Sequence, residues 1–430
     1  MAAQGETARG EAGQAAVSDR DVIVIGGGVI GLSCALALTE RGFHVTLLER
    51  EGVAAGASAG NAGAFALTAV IPLARPGVMR RAPYWLIDPA GPLSIPPSYA
   101  PALAPWLWRF WRASRRDRFE ASAAAQAALM RHAAARLTPM TEAFGLEDLV
   151  FRDGQLQLYD SAASYRAAEP ERRLKTALGV GHQRFESAEA LAELQPGLSP
   201  RFRYGVYSPS WARVADPLVW TRRLAERLKE RGGRIEIAAT DALSETAEGA
   251  CVRLADGGER RAARILVAAG AWSHRLARTL GQSIPLETER GYNTTLPSGA
   301  FDLRTHISFE DHGFVVSRIG NGVRVGGAVE LAGLRRPPNY ARSAAMLKKA
   351  KAFLPALRVE GGGQWMGHRP STPDSLPVLG PARPGSRILY AFGHGHLGLT
   401  QSLATADLIA ATAAGERPAV DLAPFRAGRF

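Results

Sequence analysis

Residues 21–31 read DVIVIGGGVIG, from Asp21 to Gly31. An apolar β run, Val22 to Ile25, stops on Gly26-x-Gly28-x-x-Gly31 and enters an Ala/Leu-rich helix. Each glycine has a mechanical reason. Gly26 permits the tight turn off the strand, Gly28 lets the backbone approach a pyrophosphate, and Gly31 lets the helix pack closely on the sheet. Free N–H groups at the positive helix end then meet phosphate. Gly42 closes the helix, Val45–Leu48 makes a second strand, and Glu49 stands at its C-terminal end. A carboxylate there accepts hydrogen bonds from a ribose. In a chain with 46 Gly a lone GxGxxG says little; the flanking strands and Glu49 make the stretch predict a βαβ unit that binds a dinucleotide.

The rest of the composition narrows the classes. A chain of 430 residues, 46% apolar and 21% charged, has room for two domains and a large core. Its two cysteines, Cys34 and Cys251, fall in a helix and before an apolar run. Both are expected to be small buried hydrophobes in a reducing, cytoplasmic setting rather than a disulfide framework or a metal site. Residues 1–19 are polar and Ala/Gly-rich without an apolar core, which predicts a disordered lead-in rather than a signal peptide. No window is apolar enough for a transmembrane helix. Only five of the 52 basic residues are Lys, and the arginines behind the net charge of +12 are scattered. That pattern argues against nucleic acid as a partner. One cluster is denser. Trp106 to Arg112, with Arg115, Arg116 and Arg118, fits a helix with Trp106, Leu107, Phe110 and Trp111 on one face and Arg109, Arg112 and Arg116 opposite. Two readings stand: a helix packed on its own protein with a solvated arginine face, or a peripheral contact with the inner face of a membrane.

Further along, a second Gly-rich turn, Gly56-Ala-Ser58-Ala-Gly60-Asn61-Ala-Gly63, follows the opening unit. Residues 72–105 are Pro-rich and read as an irregular excursion, followed by helices over about 106–120 and 122–144. The segment 154–159 alternates like a strand, and 185–195 reads as a short helix. Asp216-Pro217 opens a helix through Arg231, with a strand at Arg234–Ile237. A further pair is expected at Cys251–Leu254 and Arg264–Ala268, joined by the Asp256-Gly257-Gly258 turn. The latter strand ends in Ala269-Gly270-Ala271-Trp272-Ser273. Residues 284–340 switch to short alternating runs, as in an antiparallel sheet. The expected fold is therefore α/β (α+β, two-domain). A Rossmann-like nucleotide-binding domain (20–75, 200–280 and 364–430) is interleaved with an antiparallel-sheet substrate domain (76–199 and 281–363).

Two late motifs add chemistry: Gly367-His368-Arg369-Pro370-Ser371-Thr372-Pro373-Asp374, and Phe392-Gly393-His394-Gly395-His396-Leu397-Gly398-Leu399-Thr400, which opens the C-terminal helix. Together with the first two glycine motifs, they resemble the D-amino-acid oxidase superfamily of flavoproteins, and within it the bacterial D-amino-acid dehydrogenases. The resemblance covers the chain from about residue 20. It implies FAD, an amino or imino acid substrate, and an electron acceptor such as a quinone or another carrier; the absence of a suitably placed cysteine points to non-covalent FAD. Oxidation of a Cα–H bond by a flavin delivers a hydride to N5, and negative charge then develops over N1 and O2. Backbone N–H groups at a helix N-terminus suit that charge, which assigns Gly395, His396 and Gly398 to the cofactor. By the same resemblance Arg50, Ser58, Asn61, Gly63 and Gly270 join Gly26, Gly28, Gly31 and Glu49 in the cofactor-binding set. His394 and His396 have no third metal ligand spaced with them, so no metal is expected.

The resemblance also assigns Arg369 to the substrate carboxylate, which a planar guanidinium grips with two parallel bonds. Tyr292, in Glu289-Arg290-Gly291-Tyr292, is a candidate hydroxyl donor to that carboxylate, and Arg290 a candidate second positive charge; ordinary sheet packing is the alternative for both. No general base is obvious, and hydride transfer from a neutral amine requires only positioning and electrostatics. Broad D-amino-acid dehydrogenases carry Lys-Gly-Tyr-Ser and a Trp where this chain has Leu399. The departures resemble the subset acting on hydroxyproline-type imino acids, with cis-4-hydroxy-D-proline or D-proline as candidate substrates. The competing readings are a secondary-amine oxidase of the sarcosine or glycine type using O2, an NAD-dependent dehydrogenase, and a membrane-surface protein with a vestigial nucleotide fold.

Overall fold

The computed structural model describes residues 17–88, 91–246 and 249–430. The lead-in expected over 1–19 lies, up to residue 16, outside the described residues. From Ser18 on, the chain is tied down: the Ser18 carbonyl accepts from the Asp21 N–H at 2.9 Å, at the start of the first strand.

Two large sheets organise the chain. The first has six strands, in the order Arg234–Ile237, His44–Glu49, Asp21–Ile25, Arg264–Val267, Ile388–Phe392 and Val378–Pro381. All neighbours are parallel except the last pair. Val22 to Ile25 are all buried, as the central strand of a parallel sheet covered on both faces must be. The helix Val29–Glu40 lies against the C-terminal helix Gly398–Ala413, and both are buried along almost their whole length because each is enclosed.

The second sheet runs Gly363–Ser371, Glu287–Leu296, Gly322–Leu331, Phe314–Ile319, His306–Phe309, Gln155–Tyr159, Tyr204–Ser208 and Gln183–Phe185, with Leu93–Ser94 added beside Gly322–Leu331. It is mostly antiparallel. The exceptions are His306–Phe309 on Gln155–Tyr159 and the short Leu93–Ser94 strand. The chain thus has the expected mixed architecture, a Rossmann-like sheet with an antiparallel-rich sheet interleaved.

Hydrogen bonding moves some expected elements. Gly363–Ser371 pairs along its whole length with Glu287–Leu296, so the strand carrying Arg369 belongs to the second sheet and not to the nucleotide-binding part. Tyr204–Ser208 joins that sheet too. The Asp256-Gly257-Gly258 turn connects Ala250–Leu254 to Glu259–Ala262; Arg264–Val267 is a separate strand of the parallel sheet. Cys34 is buried, but Cys251 is only partly so. The Pro-rich excursion contains a helix, Val78–Ile87, with Pro83 inside it. The Trp/Arg helix spans Ala100–Ala113, and Leu103 and Trp106 pack inward against Leu331. Trp111 is not on that face: it and Trp108 are each 52% exposed, and Arg112 lies over the Trp108 ring at 4.6 Å.

Candidate active site

One continuous cavity runs between the two sheets, from the Gly26–Gly28 turn and Glu49 to Glu289 and Arg369. At its first end the glycines do mechanical work. Gly26 has φ +116°, and a Cβ there would overlap the Ala268 carbonyl; one at Gly31 would overlap Gly26 O. Gly28 lies on the cavity in ordinary extended backbone, at the start of the first helix. Glu49 also lines the cavity, its Oε2 accepting the Gly27 N–H at 2.6 Å. The Arg50 guanidinium lies over the Trp272 ring at 3.8 Å, a cation–π contact at the cavity wall beside Gly270.

The second glycine turn forms the adjoining wall. Ser58 Oγ accepts the Val29 N–H at 2.9 Å, satisfying an orphan donor of the first helix. Asn61 braces its own turn, donating to Ser58 O and accepting from Gly63 N–H, each at 2.7 Å. Two residues of the second sheet hold the turn from across the cavity. Asn293 Nδ2 donates to Gly60 O at 2.8 Å, and Arg324 donates to Asn61 O. Gly63 does not line the cavity. It is a left-handed pivot (φ +69°) packed toward Ile319 and Val214, so its need for glycine is conformational.

At the far end the turn before the C-terminal helix brings Gly395, His396 and Gly398 to the same cavity. Burial, reinforced by Arg369, pushes the His396 imidazole down to about 4, so it is neutral at ordinary pH. His394 also borders it, with its Nε2 3.0 Å from the Thr405 hydroxyl of that helix. Among the described residues no group of three or more His, Cys, Asp or Glu side chains could hold a metal ion. The glycines pressed against backbone, the open helix start and a cavity that joins Glu49 to the C-terminal turn fit an extended flavin dinucleotide.

The other end of the cavity is built on the Glu287–Leu296 and Gly363–Ser371 pair. Glu289 is opposite Arg369 in register, and Gly291 is opposite Gly367. A Cβ on Gly291 would overlap the Arg369 guanidinium; one on Gly367 would overlap the Trp365 ring. The two glycines therefore clear a floor on which the guanidinium and the indole lie. Trp365 also covers Gly60, so it joins this floor to the second glycine turn. Arg369 makes no hydrogen bond and no ion pair among the described residues. Its charge is felt by Glu289, which is 6% exposed. Burial pushes the Glu289 carboxyl above the ordinary carboxylate range, and Arg369 only partly offsets it.

Arg290 and Tyr292 are placed differently from the expectation. Strand alternation sends Arg290 away from the cavity, where it is fully buried. Its guanidinium pairs with Glu330 at 3.1 Å and donates to Pro337 O. The Tyr292 ring reaches the cavity, but its hydroxyl donates to Glu330 and accepts the Asn339 N–H at 3.1 Å. Arg290, Tyr292 and Glu330 form a buried brace behind the sheet, so neither candidate offers its polar group to a substrate.

Several cavity residues carry no local motif. Glu289 and Trp365 are fixed by register between strands distant in sequence. His368 stacks edge-on to Trp272 and is 3.2 Å from the Thr288 hydroxyl; burial first, then Arg290 and Arg50, push it down to about 4. His306 and Trp211 form another wall, with ring centroids 5.1 Å apart. The parity of residues 289, 291 and 293 was the available signal for Glu289: it shares a face with the glycine over which Arg369 lies.

Comparison with known proteins agrees with this geometry. The sequence profile of a family described as DAO, FAD dependent oxidoreductase, matches residues 21–412. A D-amino-acid oxidase of Bradyrhizobium diazoefficiens is 34% identical over 421 residues, covering 96% of this chain and 99% of that protein. D-amino acid dehydrogenase 2 of Ralstonia nicotianae is 32% identical, covering 95% and 100%. Among solved structures, glycine oxidase from Geobacillus kaustophilus superposes with a TM-score of 0.76 at 21% identity, covering 95% of this chain and 98% of that one. L-proline dehydrogenase from P. horikoshii gives 0.72 at 17%, covering 95% and 97%. At those identities the two structures speak for the fold.

Proposed function

The chain belongs to the DAO family of FAD dependent oxidoreductases, and from that premise we propose that it oxidises a D-amino acid at Cα, with a compact cyclic imino acid such as D-proline or cis-4-hydroxy-D-proline as substrate. The observation that carries this reading is Arg369: a guanidinium with no hydrogen-bonding or ion-pairing partner among the described residues, facing the cavity that also holds the dinucleotide turn. Five donors in a planar fork match a carboxylate. The Trp365 indole on the same floor offers a flat apolar surface to a ring.

FAD is the cofactor and, when bound, accepts a hydride from the substrate. Gly26, Gly28 and the start of the first helix would hold its pyrophosphate, and Glu49 its ribose. The N–H groups around Gly395 to Gly398 would face the flavin ring, where they stabilise negative charge. Arg369 orients the substrate by its carboxylate. Orientation of this kind accounts for much of the rate in such reactions.

Electrons leave to a carrier in this reading. The half-exposed Trp108 and Trp111 beside Arg109, Arg112 and Arg116 support docking at an anionic membrane surface. No helix among the described residues is long and apolar enough to cross a membrane. Sedimentation with anionic vesicles that Trp108→Ser with Trp111→Ser leaves unchanged would remove the docking reading. Because the Bradyrhizobium relative is named an oxidase, hydrogen peroxide formed in step with turnover would replace the carrier by oxygen.

An anaerobic absorbance spectrum during addition of D-proline, cis-4-hydroxy-D-proline and D-alanine tests the whole reading. Bleaching of the flavin band is the expected result, strongest with the cyclic substrates. A yellow protein that only D-alanine bleaches would remove the cyclic preference, and one that none bleaches would remove the substrate class.

A further inference from the structure

Glu289 and Arg369 are directly opposed on neighbouring antiparallel strands, and both line the cavity. Directly opposed residues have Cβ atoms about 4.5–5.5 Å apart. An α-amino acid carries its own two charges on one carbon, in the reverse sense: a carboxylate for Arg369 and an ammonium for Glu289. Hydride departure from Cα needs the nitrogen lone pair, so the ammonium must lose a proton first.

We propose that Glu289 is the proton acceptor for the substrate's ammonium group. One N–H bond breaks, one O–H bond forms on the Glu289 carboxylate, and the electron pair remains on nitrogen as the neutral amine. This rests on the amino-acid reading given above.

The charged surroundings set the timing. Arg369 is the cation that favours ionised Glu289. A substrate carboxylate on Arg369 neutralises that influence, so binding itself raises the proton affinity of Glu289. The other titratable groups nearby do not compensate. Glu287, two residues along the strand, accepts the Tyr99 hydroxyl at 2.9 Å and adds negative charge. His394 and His396, facing from the C-terminal turn, are held neutral by burial, at about 3 and about 4. Arg290 is taken by Glu330 behind the sheet. Glu289 also borders a small second cavity whose lining includes Ser371 and Gln126. The Ser371 hydroxyl favours the ionised Glu289 carboxylate, and Gln126 Oε1 has no hydrogen-bond partner among the described residues, which gives the proton a polar way out.

The test uses the FAD-loaded enzyme and its Glu289→Gln and Glu289→Asp variants, each checked for flavin content and melting temperature. Anaerobic flavin reduction by D-proline is followed against pH. The wild type should be nearly flat from pH 7 to 9, whereas Glu289→Gln should be slower by about tenfold or more at pH 7 and recover roughly tenfold per pH unit as free amine appears. Glu289→Asp should restore part of the neutral-pH rate.

A second readout needs no turnover. Cyclopentanecarboxylate, which has no ammonium, should bind the wild type with uptake of a proton from solvent. Calorimetry in two buffers of different ionisation enthalpy reads that proton. Glu289→Gln should bind it with none. Equal proton uptake in wild type and Glu289→Gln, or a flat pH profile in the variant, overturns the assignment. A wild type that no amino acid reduces removes the substrate reading, and the calorimetric comparison then decides the role of Glu289 separately.

Discussion

Gly291 lies directly beneath the Arg369 guanidinium: a Cβ at this position would overlap Nη2 and Cζ. The backbone of Gly291 does not need glycine for its own conformation, since its φ is not positive. The requirement comes from the side chain across the strand pair. Gly291→Ala should therefore fold and keep FAD while displacing the clamp. A displacement of about 1 Å at a positioning group costs up to about 100-fold in rate. Steady-state kinetics should show KM for the amino acid raised at least severalfold with flavin content unchanged. An unaltered KM would separate Arg369 from the substrate.

Arg369→Ala removes the grip altogether. A hydrogen bond to a charged group contributes about 1.5–3 kcal/mol, so losing a bidentate pair should weaken carboxylate binding by roughly 100-fold or more. FAD should stay bound, because the cofactor contacts lie on other elements. Arg369→Lys keeps the charge and loses the fork, and it should fall between the two. Titration with a simple carboxylate, followed by the flavin spectrum, orders the three proteins. Equal affinity in wild type and Arg369→Ala would end the clamp.

The glycines of the first turn separate folding from cofactor binding. Gly26 combines a positive φ with backbone contact, so Gly26→Ala should cost about 2–5 kcal/mol of stability. Gly28 has ordinary backbone and would bring a Cβ 3.1 Å from Ser58 Oγ alone, which can yield. Gly28→Ala should give a stable protein whose FAD affinity is at least about tenfold weaker, since the Cβ occupies the phosphate approach. Thermal melts of the apoproteins, set beside fluorimetric FAD titration, test both halves. Tight FAD binding by Gly28→Ala would move the pyrophosphate elsewhere.

Local chemistry decided what could be read without coordinates. The parallel sheet, the first helix and the glycines around it are legible because each answers a requirement within a few residues of itself. Arg369 is legible only through the family resemblance of its motif, since nothing in Gly367-His368-Arg369-Pro370 says what lies opposite. That opposite strand is some 80 residues away, and only register shows that Gly291 and Gly367 clear one floor for Arg369 and Trp365. Strand parity likewise separates Glu289 from Arg290: adjacent in sequence, one borders the cavity and the other is locked to Glu330 behind it. The Pro-rich excursion hid a helix because Pro83 breaks the pattern that periodicity relies on.

Asp407 predicts how the fold responds to acid. It joins three helical segments, accepting from Arg41 at 3.2 Å and Arg136 at 3.0 Å, with His132 at 2.9 Å. Burial opposes its ionisation, but His132, Arg136 and Arg41 together prevail and hold the carboxyl down to about 2, below its ordinary 3.8. A depressed carboxyl contributes stability above its unfolded value and loses it as the pH falls toward the folded one. Asp407→Asn should therefore be less stable than wild type by about 2 kcal/mol at pH 7. The gap should narrow between about pH 4 and pH 2 as the wild-type carboxylate takes up its proton. Urea unfolding of both proteins across that range measures it. A gap independent of pH would assign Asp407 to packing, and its three partners would then not be what holds these helices to one another.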